Sequence, residues 1–160
     1  MLEIYYDQIK SGKISDNPLA METEFEIPIA GTTLVGKIDR IDFEDGEYEV
    51  SDYKSGKTKP DAFELRNNLQ LTAYYWACFE LYGKYPKKLY WHHLRTGDRM
   101  ETERTAQDVE NLKVMIQNAV YIREKGIRHR VFHEKVCDLC EYKSQICTDY
   151  QLEQNLLAGA

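Results

Sequence analysis

The segment from Thr32 to Lys54 constrains the fold more than any other part of the chain, because it reads as two strands joined by a tight turn. Residues 32–43 and 47–54 are two predicted strands, and Glu44-Asp45-Gly46 separates them. Asp-Gly favours a type I′ turn, since both central positions of that turn need positive φ. A turn at Asp45-Gly46 fixes the register and predicts four pairs on one face: Phe43–Tyr48, Ile41–Val50, Asp39–Asp52 and Lys37–Lys54.

That face begins as apolar core and ends in two opposed carboxylates, Asp39 and Asp52, with Lys54 beside them. Like charges directly opposed across a strand pair are destabilising, and burial increases the repulsion. A divalent cation reverses the sign of this interaction, and converging carboxylate oxygens are the ligands that Mg²⁺ and Mn²⁺ prefer. Lys54 can then stabilise the negative charge that develops during phosphodiester hydrolysis. The alternative is a solvated ion-pair patch on an exposed sheet face.

The other patterns predict an α/β chain in the order strands, helix, strands, helix. The first dozen residues favour a short helix, Gly12–Pro18 a polar linker, and residues 22–29 a strand. Residues 61–82 predict a helix buried on most sides, with Cys78 as a small core residue. A second hairpin around Gly97-Asp98 and a helix beginning at Thr105-x-x-Asp108 follow. We therefore predict a small mixed sheet flanked by helices.

Composition sets the class of protein. The 160 residues are 42% hydrophobic and 30% charged, which is typical of one globular domain over residues 1–160. No apolar stretch approaches the roughly 20 residues that a membrane span needs, and the N-terminus has no signal-peptide pattern, so we expect a cytoplasmic protein with no membrane partner. The net charge of −6 argues against binding nucleic acid by bulk charge.

Three cysteines, Cys137, Cys140 and Cys147, form a C-x2-C-x6-C cluster in a segment from 130 to 150. In a reducing compartment such a cluster favours a metal site over disulfides, and thiolate ligands suit an iron–sulfur cluster or zinc. A small zinc module beside an unrelated enzymatic sheet, or three thiols without metal, are the alternatives.

Taken together, the ordered motifs resemble those of a known family. They are G-x-x-D-R-I-D from Gly36, V-S-D-Y-K-S-G from Val50, Q-L-x-x-Y from Gln70 and L-R-T-G from Leu94. This set resembles the RecB-type branch of the PD-(D/E)xK nuclease superfamily, which includes the nuclease domains of RecB and AddB and the CRISPR-associated RecB-like exonucleases. The resemblance implies a restriction-endonuclease-like core over residues 22–125, followed by the cysteine-cluster segment.

The resemblance also implies roles for individual residues. Asp39, Asp52 and the backbone carbonyl of Tyr53 match the ligands of a catalytic Mg²⁺ or Mn²⁺, and Lys54 matches the catalytic lysine. Gln70 and Tyr74 match a pair that lines the active site and positions the substrate. Core packing is the alternative for Tyr74. Apart from the resemblance, a group of basic residues is a candidate for phosphate contacts, with solvated surface charges as the favoured alternative for each: Lys57, Lys59, His92, His93 and Arg95.

The activity implied is that of a metal-dependent DNA exonuclease in DNA repair, recombination, or phage or CRISPR processing. Its substrate is DNA with free ends or single-stranded DNA, and a helicase or a recombination protein is the expected partner. A non-catalytic DNA-binding or assembly module that keeps the fold is the alternative.

This sequence departs from the family in its N-terminal part. The helical region found there in relatives, with a histidine that often completes the metal site, has no counterpart, so we expect the chain to be part of a larger protein. The upstream cysteine that joins Cys137, Cys140 and Cys147 around a four-iron four-sulfur cluster has no counterpart either. Zinc assisted by His129 or His133 is the alternative occupant.

Overall fold

The structure, a computed structural model, describes residues 2–126. The elements in chain order are α1 (Leu2–Lys10), β1 (Ala20–Ile29), β2 (Thr32–Glu44), β3 (Glu47–Lys54), α2 (Ala62–Arg66), α3 (Leu69–Tyr82), β4 (Lys88–His93), β5 (Asp98–Thr102) and α4 (Ala106–Glu124). None of the helices within the described part is long and apolar enough to cross a membrane. The cysteine-cluster segment, with Cys137, Cys140 and Cys147, lies outside the described residues.

The strands form one five-stranded sheet in the order β1-β2-β3-β4-β5. Its neighbours are antiparallel except β3 and β4, which run parallel. A parallel pair needs a crossover connection, and here α2 and α3 lie in the chain between the two strands. The predicted mixed sheet flanked by helices is confirmed.

The β2–β3 turn is the one that Asp-Gly predicts. Asp45 and Gly46 both have positive φ, at 52° and 80°. The ladder that starts there pairs Glu44 with Glu47 and continues through Phe43–Tyr48 and Ile41–Val50. The predicted register of the hairpin is therefore confirmed up to this point.

The single helix predicted over residues 61–82 is wrong, because the structure divides it into α2 and α3. Asp61 accepts a hydrogen bond from the backbone N–H of Glu64 and caps α2. Asn68 accepts one from the N–H of Leu71 and caps α3. The break lies at Asn67-Asn68 because an asparagine side chain competes for backbone N–H groups that an uninterrupted helix would use.

The core lies between α3 and the sheet. Fully buried side chains on this helix, Leu71, Ala77 and Cys78, belong to the same apolar cluster as Ile41 and Val50 of the hairpin. Cys78 has a free thiol, and burial raises its pKa to about 12, so it is an inert core residue, as predicted. This packing fixes α3 against the strands that carry the candidate site.

Candidate active site

The β2–β3 ladder ends just before the two predicted carboxylates. Its last pair is Arg40 with Ser51. Beyond it, the backbone N–H of Tyr53 donates a hydrogen bond of 2.7 Å to Oδ2 of Asp39. The direct pairings Asp39–Asp52 and Lys37–Lys54 predicted from the register are therefore wrong: a side-chain carboxylate replaces the backbone ladder, which relieves the direct opposition of like charges.

Asp52 is the most buried member of the site, with 1% of its surface exposed. Burial raises the pKa of its carboxyl and the nearby charge of Asp39 raises it further, while Lys54 acts in the opposite direction. The Lys54 Nζ donates to Oδ1 at 3.0 Å. The same Nζ lies 2.8 Å from Oδ2, but at an angle that leaves this buried oxygen without a hydrogen bond.

Lys54 begins a chain of side-chain hydrogen bonds that reaches α3. Its Nζ donates to Oε1 of Gln70 at 2.7 Å. The amide Nε2 of Gln70 donates to the hydroxyl oxygen of Tyr74 at 2.8 Å, one helical turn further on. Burial raises the pKa of Tyr74 to about 12, with the charges of Asp39 and Asp52 adding to the effect, so its phenol stays protonated at neutral pH.

The structure thus brings together all five side chains that the sequence singles out for catalysis: Asp39, Asp52, Lys54, Gln70 and Tyr74. Among residues 2–126, no group of three or more His, Cys, Asp or Glu side chains is arranged as a metal site. A site built from two carboxylates and a backbone carbonyl does not require such a group. Oδ2 of Asp52 accepts no hydrogen bond although it is buried and 2.8 Å from the Lys54 ammonium, and burial beside Asp39 raises the pKa of this carboxyl. Both features fit a hard divalent cation, which takes oxygen ligands and offsets crowded negative charge.

A buried ion pair supports β2 behind the site. Arg40 and Asp42 are 2% and 4% exposed, and Nη2 of the guanidinium lies 2.6 Å from the carboxylate. Arg40 also donates to the hydroxyl of Tyr5 at 3.2 Å, and this hydroxyl lies 2.8 Å from that of Tyr53. Helix α1 is thereby attached to the strand that carries Asp52 and Lys54.

His92 and His93 are neither solvated surface residues nor accessible phosphate contacts, because both are buried. Nε2 of His92 is 3.0 Å from Oε1 of Gln8, whose own amide donates to the carbonyl of Gly97 at 2.6 Å. His93 uses both ring nitrogens, with Nε2 at 2.9 Å from the carbonyl of Gly56 and Nδ1 at 2.9 Å from the Thr96 hydroxyl. Sequence reasoning missed Gln8, since a glutamine in a short polar helix gives no sign of burial.

The other predicted DNA contacts lie on the surface. Lys59 forms a 2.6 Å ion pair with Asp98. Arg95 donates from Nε to the carbonyl of Ser55 at 2.6 Å, and Lys57 is exposed. Their roles toward DNA stay predictions.

A cavity of about 550 Å³ opens beside the carboxylates. Asp39, Gln70 and Tyr74 line one part of it, and the rest is lined by Gly36, Lys37 and apolar side chains of β1, β2, α3 and α4. The site therefore lies at one side of a groove.

Comparison with known families matches residues 1–148 to the PD-(D/E)XK nuclease superfamily. No curated protein matches the sequence. Among solved structures, SSO0001 shares 17% identity at a TM-score of 0.53, over 92% of this chain and 69% of that one. A second solved structure is that of a protein of Eubacterium rectale that carries the name of a presumed exonuclease. It shares 13% identity at a TM-score of 0.48, over 88% of this chain and 62% of that one. The likeness to SSO0001 concerns the fold alone.

Proposed function

The chain belongs to the PD-(D/E)XK nuclease superfamily, and we propose that it is a Mg²⁺- or Mn²⁺-dependent deoxyribonuclease that works as an exonuclease of the RecB type. The observation that carries this proposal is the hydrogen-bonded set Asp52–Lys54–Gln70–Tyr74, with Asp39 close enough for its charge to act on Asp52. A non-catalytic module would have no need of two neighbouring carboxylates, one of them buried, beside a lysine held by Asp52 and Gln70, so the complete set favours the enzyme.

Asp39, Asp52 and the backbone carbonyl of Tyr53 would hold the ion. When bound, a divalent cation polarises a phosphoryl oxygen and lowers the pKa of a water molecule. Hydrolysis adds water across one P–O ester bond and gives a phosphomonoester and an alcohol. The residues of the chain orient the substrate and stabilise the charge that develops.

Lys54 is placed for that second role. Asp52 and Gln70 fix its ammonium group from two sides at 3.0 and 2.7 Å, so its charge needs no reorganisation during the reaction. Tyr74 accepts from Gln70 and stays protonated, so its own O–H can donate to a phosphate oxygen. Gln70 couples the two groups and holds them at a fixed separation.

The proposed biological setting is cytoplasmic DNA repair, recombination, or the processing of phage or CRISPR DNA, beside a helicase or a recombination protein. The RecB-type motifs support this setting. Occupancy of the cysteine cluster by a four-iron four-sulfur cluster or zinc is a separate proposal. Iron and zinc analysis of the purified protein, with its visible absorbance, tests it.

The central test is degradation of linear single-stranded and duplex DNA with and without Mn²⁺. We expect Asp52→Asn and Lys54→Ala each to abolish degradation without unfolding the protein, and covalently closed circles to resist it. Asp16→Asn and Lys113→Ala, at surface positions on the linker and on α4, are matched controls that should keep wild-type activity. Full activity in either site variant would show that the residues are wrongly assigned.

A further inference from the structure

The groove beside the carboxylates is larger than the proposed chemistry requires. Its volume of about 550 Å³ falls within the range of about 300–1,000 Å³ that is usual for small-molecule sites. Besides the site residues, its walls include Phe25, Val35, Lys37, Leu69 and Ala73. We propose that it receives one unpaired nucleobase of the DNA strand whose phosphodiester lies at Asp39 and Asp52; this inference rests on the proposed function.

Position favours a base as the occupant. Asp39, Gln70 and Tyr74 belong both to the groove and to the candidate site. A phosphodiester held at the carboxylates therefore has its own nucleoside next to the groove opening. A base is also the only flat apolar group on a DNA strand, whereas the sugar and the phosphate are polar.

The walls match that chemistry. Val35 and Leu69 are 64% and 48% exposed. Their apolar surface in the groove is therefore not covered by any other part of residues 2–126. Phe25 and Tyr74 meet edge to face, with ring centroids 6.2 Å apart at 85°, and are 5% and 4% exposed, so these two lining residues belong to the rigid core under the exposed aliphatic surface. Any base can lay its flat face on that aliphatic surface, so the contact is independent of sequence.

The rim adds a cation next to the anionic backbone. Lys37 lines the groove and is 46% exposed on its side chain. It lies 3.4 Å from Glu22 and 3.6 Å from Glu24, and exposed pairs of this kind contribute little to stability. A DNA phosphate can therefore replace these carboxylates as its partner at small cost.

A base can enter only if it leaves its stack. In a duplex this requires unpairing and unstacking the base. The free-energy cost is much smaller in a single strand or at a frayed end. The groove therefore indicates the substrate class, which is unpaired DNA. Apolar contacts hold one base of this DNA beside the scissile phosphate.

The test replaces Ala73 by Met, which fills the groove without removing a core side chain. Val114→Met, at an exposed position of α4 that does not line the groove, is the matched control. The probe is a single-stranded oligonucleotide that carries the fluorescent base 2-aminopurine and non-hydrolysable phosphonate linkages, measured with Mn²⁺ so that the ion is present and no cleavage occurs. We expect a fluorescence change with the wild type and with Val114→Met, and its loss in Ala73→Met.

Affinity and cleavage give the second readout. Base stacking corresponds to about a 5- to 150-fold effect on binding, so Ala73→Met should weaken binding of a normal oligonucleotide within that range. An oligonucleotide with an abasic position beside the scissile phosphate should bind with equal affinity to the wild type and to Ala73→Met. The wild type should cut this oligonucleotide more slowly than the normal oligonucleotide.

The two proposals fail in different ways. Equal cleavage of normal and abasic DNA, or an unchanged fluorescence signal in Ala73→Met, overturns the groove assignment while leaving a nuclease. A signal that depends on Ala73 in a protein that cuts no DNA overturns the proposed catalysis and supports the groove as a base-binding site. Loss of the signal in Val114→Met as well overturns the assignment to this groove.

Discussion

Gly36 is the residue of the G-x-x-D motif whose replacement has the most specific expected effect. A Cβ at this position would lie 2.5 Å from Cζ and 2.8 Å from Cε1 of Phe25. The φ of Gly36 is outside the positive region, so its backbone conformation suits any residue and only space excludes a side chain. Phe25 is 5% exposed and belongs to the core, so its ring has little room to move.

Two opposing effects decide whether Gly36→Ala raises or lowers the free energy of unfolding. Removing a strand glycine stabilises by about 0.5–1 kcal/mol, because the unfolded chain loses freedom. Overpacking a closed core costs about 1–3 kcal/mol. We expect a net loss of roughly 1 kcal/mol in the free energy of unfolding, which shifts the thermal midpoint by about 2–8 °C for domains of this general size. Cleavage should fall as well, since Phe25 contacts Tyr74.

Urea denaturation of four proteins tests this: wild type, Gly36→Ala, Phe25→Leu and the double variant. Phe25→Leu removes the ring atoms that clash, so the double variant should be more stable than the sum of the two single effects by about 1–2 kcal/mol. Gly56→Ala is the matched control, because a Cβ there meets nothing within 4 Å and its φ is not positive. A stabilised Gly36→Ala, or strictly additive effects, would refute the steric explanation.

Three further predictions concern stability. Gln8→Ala should cost about 1–3 kcal/mol in urea denaturation, because it leaves the carbonyl of Gly97 and the ring of His92 without their buried partner. Asp42→Ala should cost about 3–5 kcal/mol, since it leaves the Arg40 guanidinium buried without its carboxylate, and thermal unfolding measures the loss. Burial lowers the pKa of His92 from 6.5 to about 4, so the unfolded state takes up the proton first. Stability should therefore be complete above pH 6.5 and fall by up to about 3 kcal/mol as the pH approaches 4, a slope that His92→Gln should remove in unfolding measured against pH.

The parts of the fold that were predictable are those governed by local chemistry. Asp45-Gly46 determines the turn and the register next to it, because positive φ at two successive positions suits few residue pairs. Asn67 and Asn68 also carried a local signal, since asparagine caps helices, but the strong apolar periodicity of residues 61–82 concealed the break. Local capping thus prevailed over periodicity within that segment.

The parts that failed depend on contacts distant in sequence. His92 meets Gln8, and His93 meets Gly56, across 84 and 37 positions of the chain. A histidine at the end of a strand gives no sign in the sequence that a buried acceptor lies opposite it, so local sequence predicts a solvated side chain. The end of the ladder at Arg40 was likewise unpredictable, because a bond from the Tyr53 amide to a side chain replaces regular pairing.

That same bond explains how an acidic chain can present a site for an anionic polymer. Had β2 and β3 stayed paired, Asp39 and Asp52 would face each other directly and their repulsion would be greatest. With the N–H of Tyr53 bound to Asp39 and Lys54 bound to Asp52, each carboxylate has one positive or partly positive partner. The three charged groups still sum to −1, and one divalent ion would change this to +1. The net charge of −6 therefore excludes binding by bulk attraction but not recognition at this point, where the local sign depends on the ion.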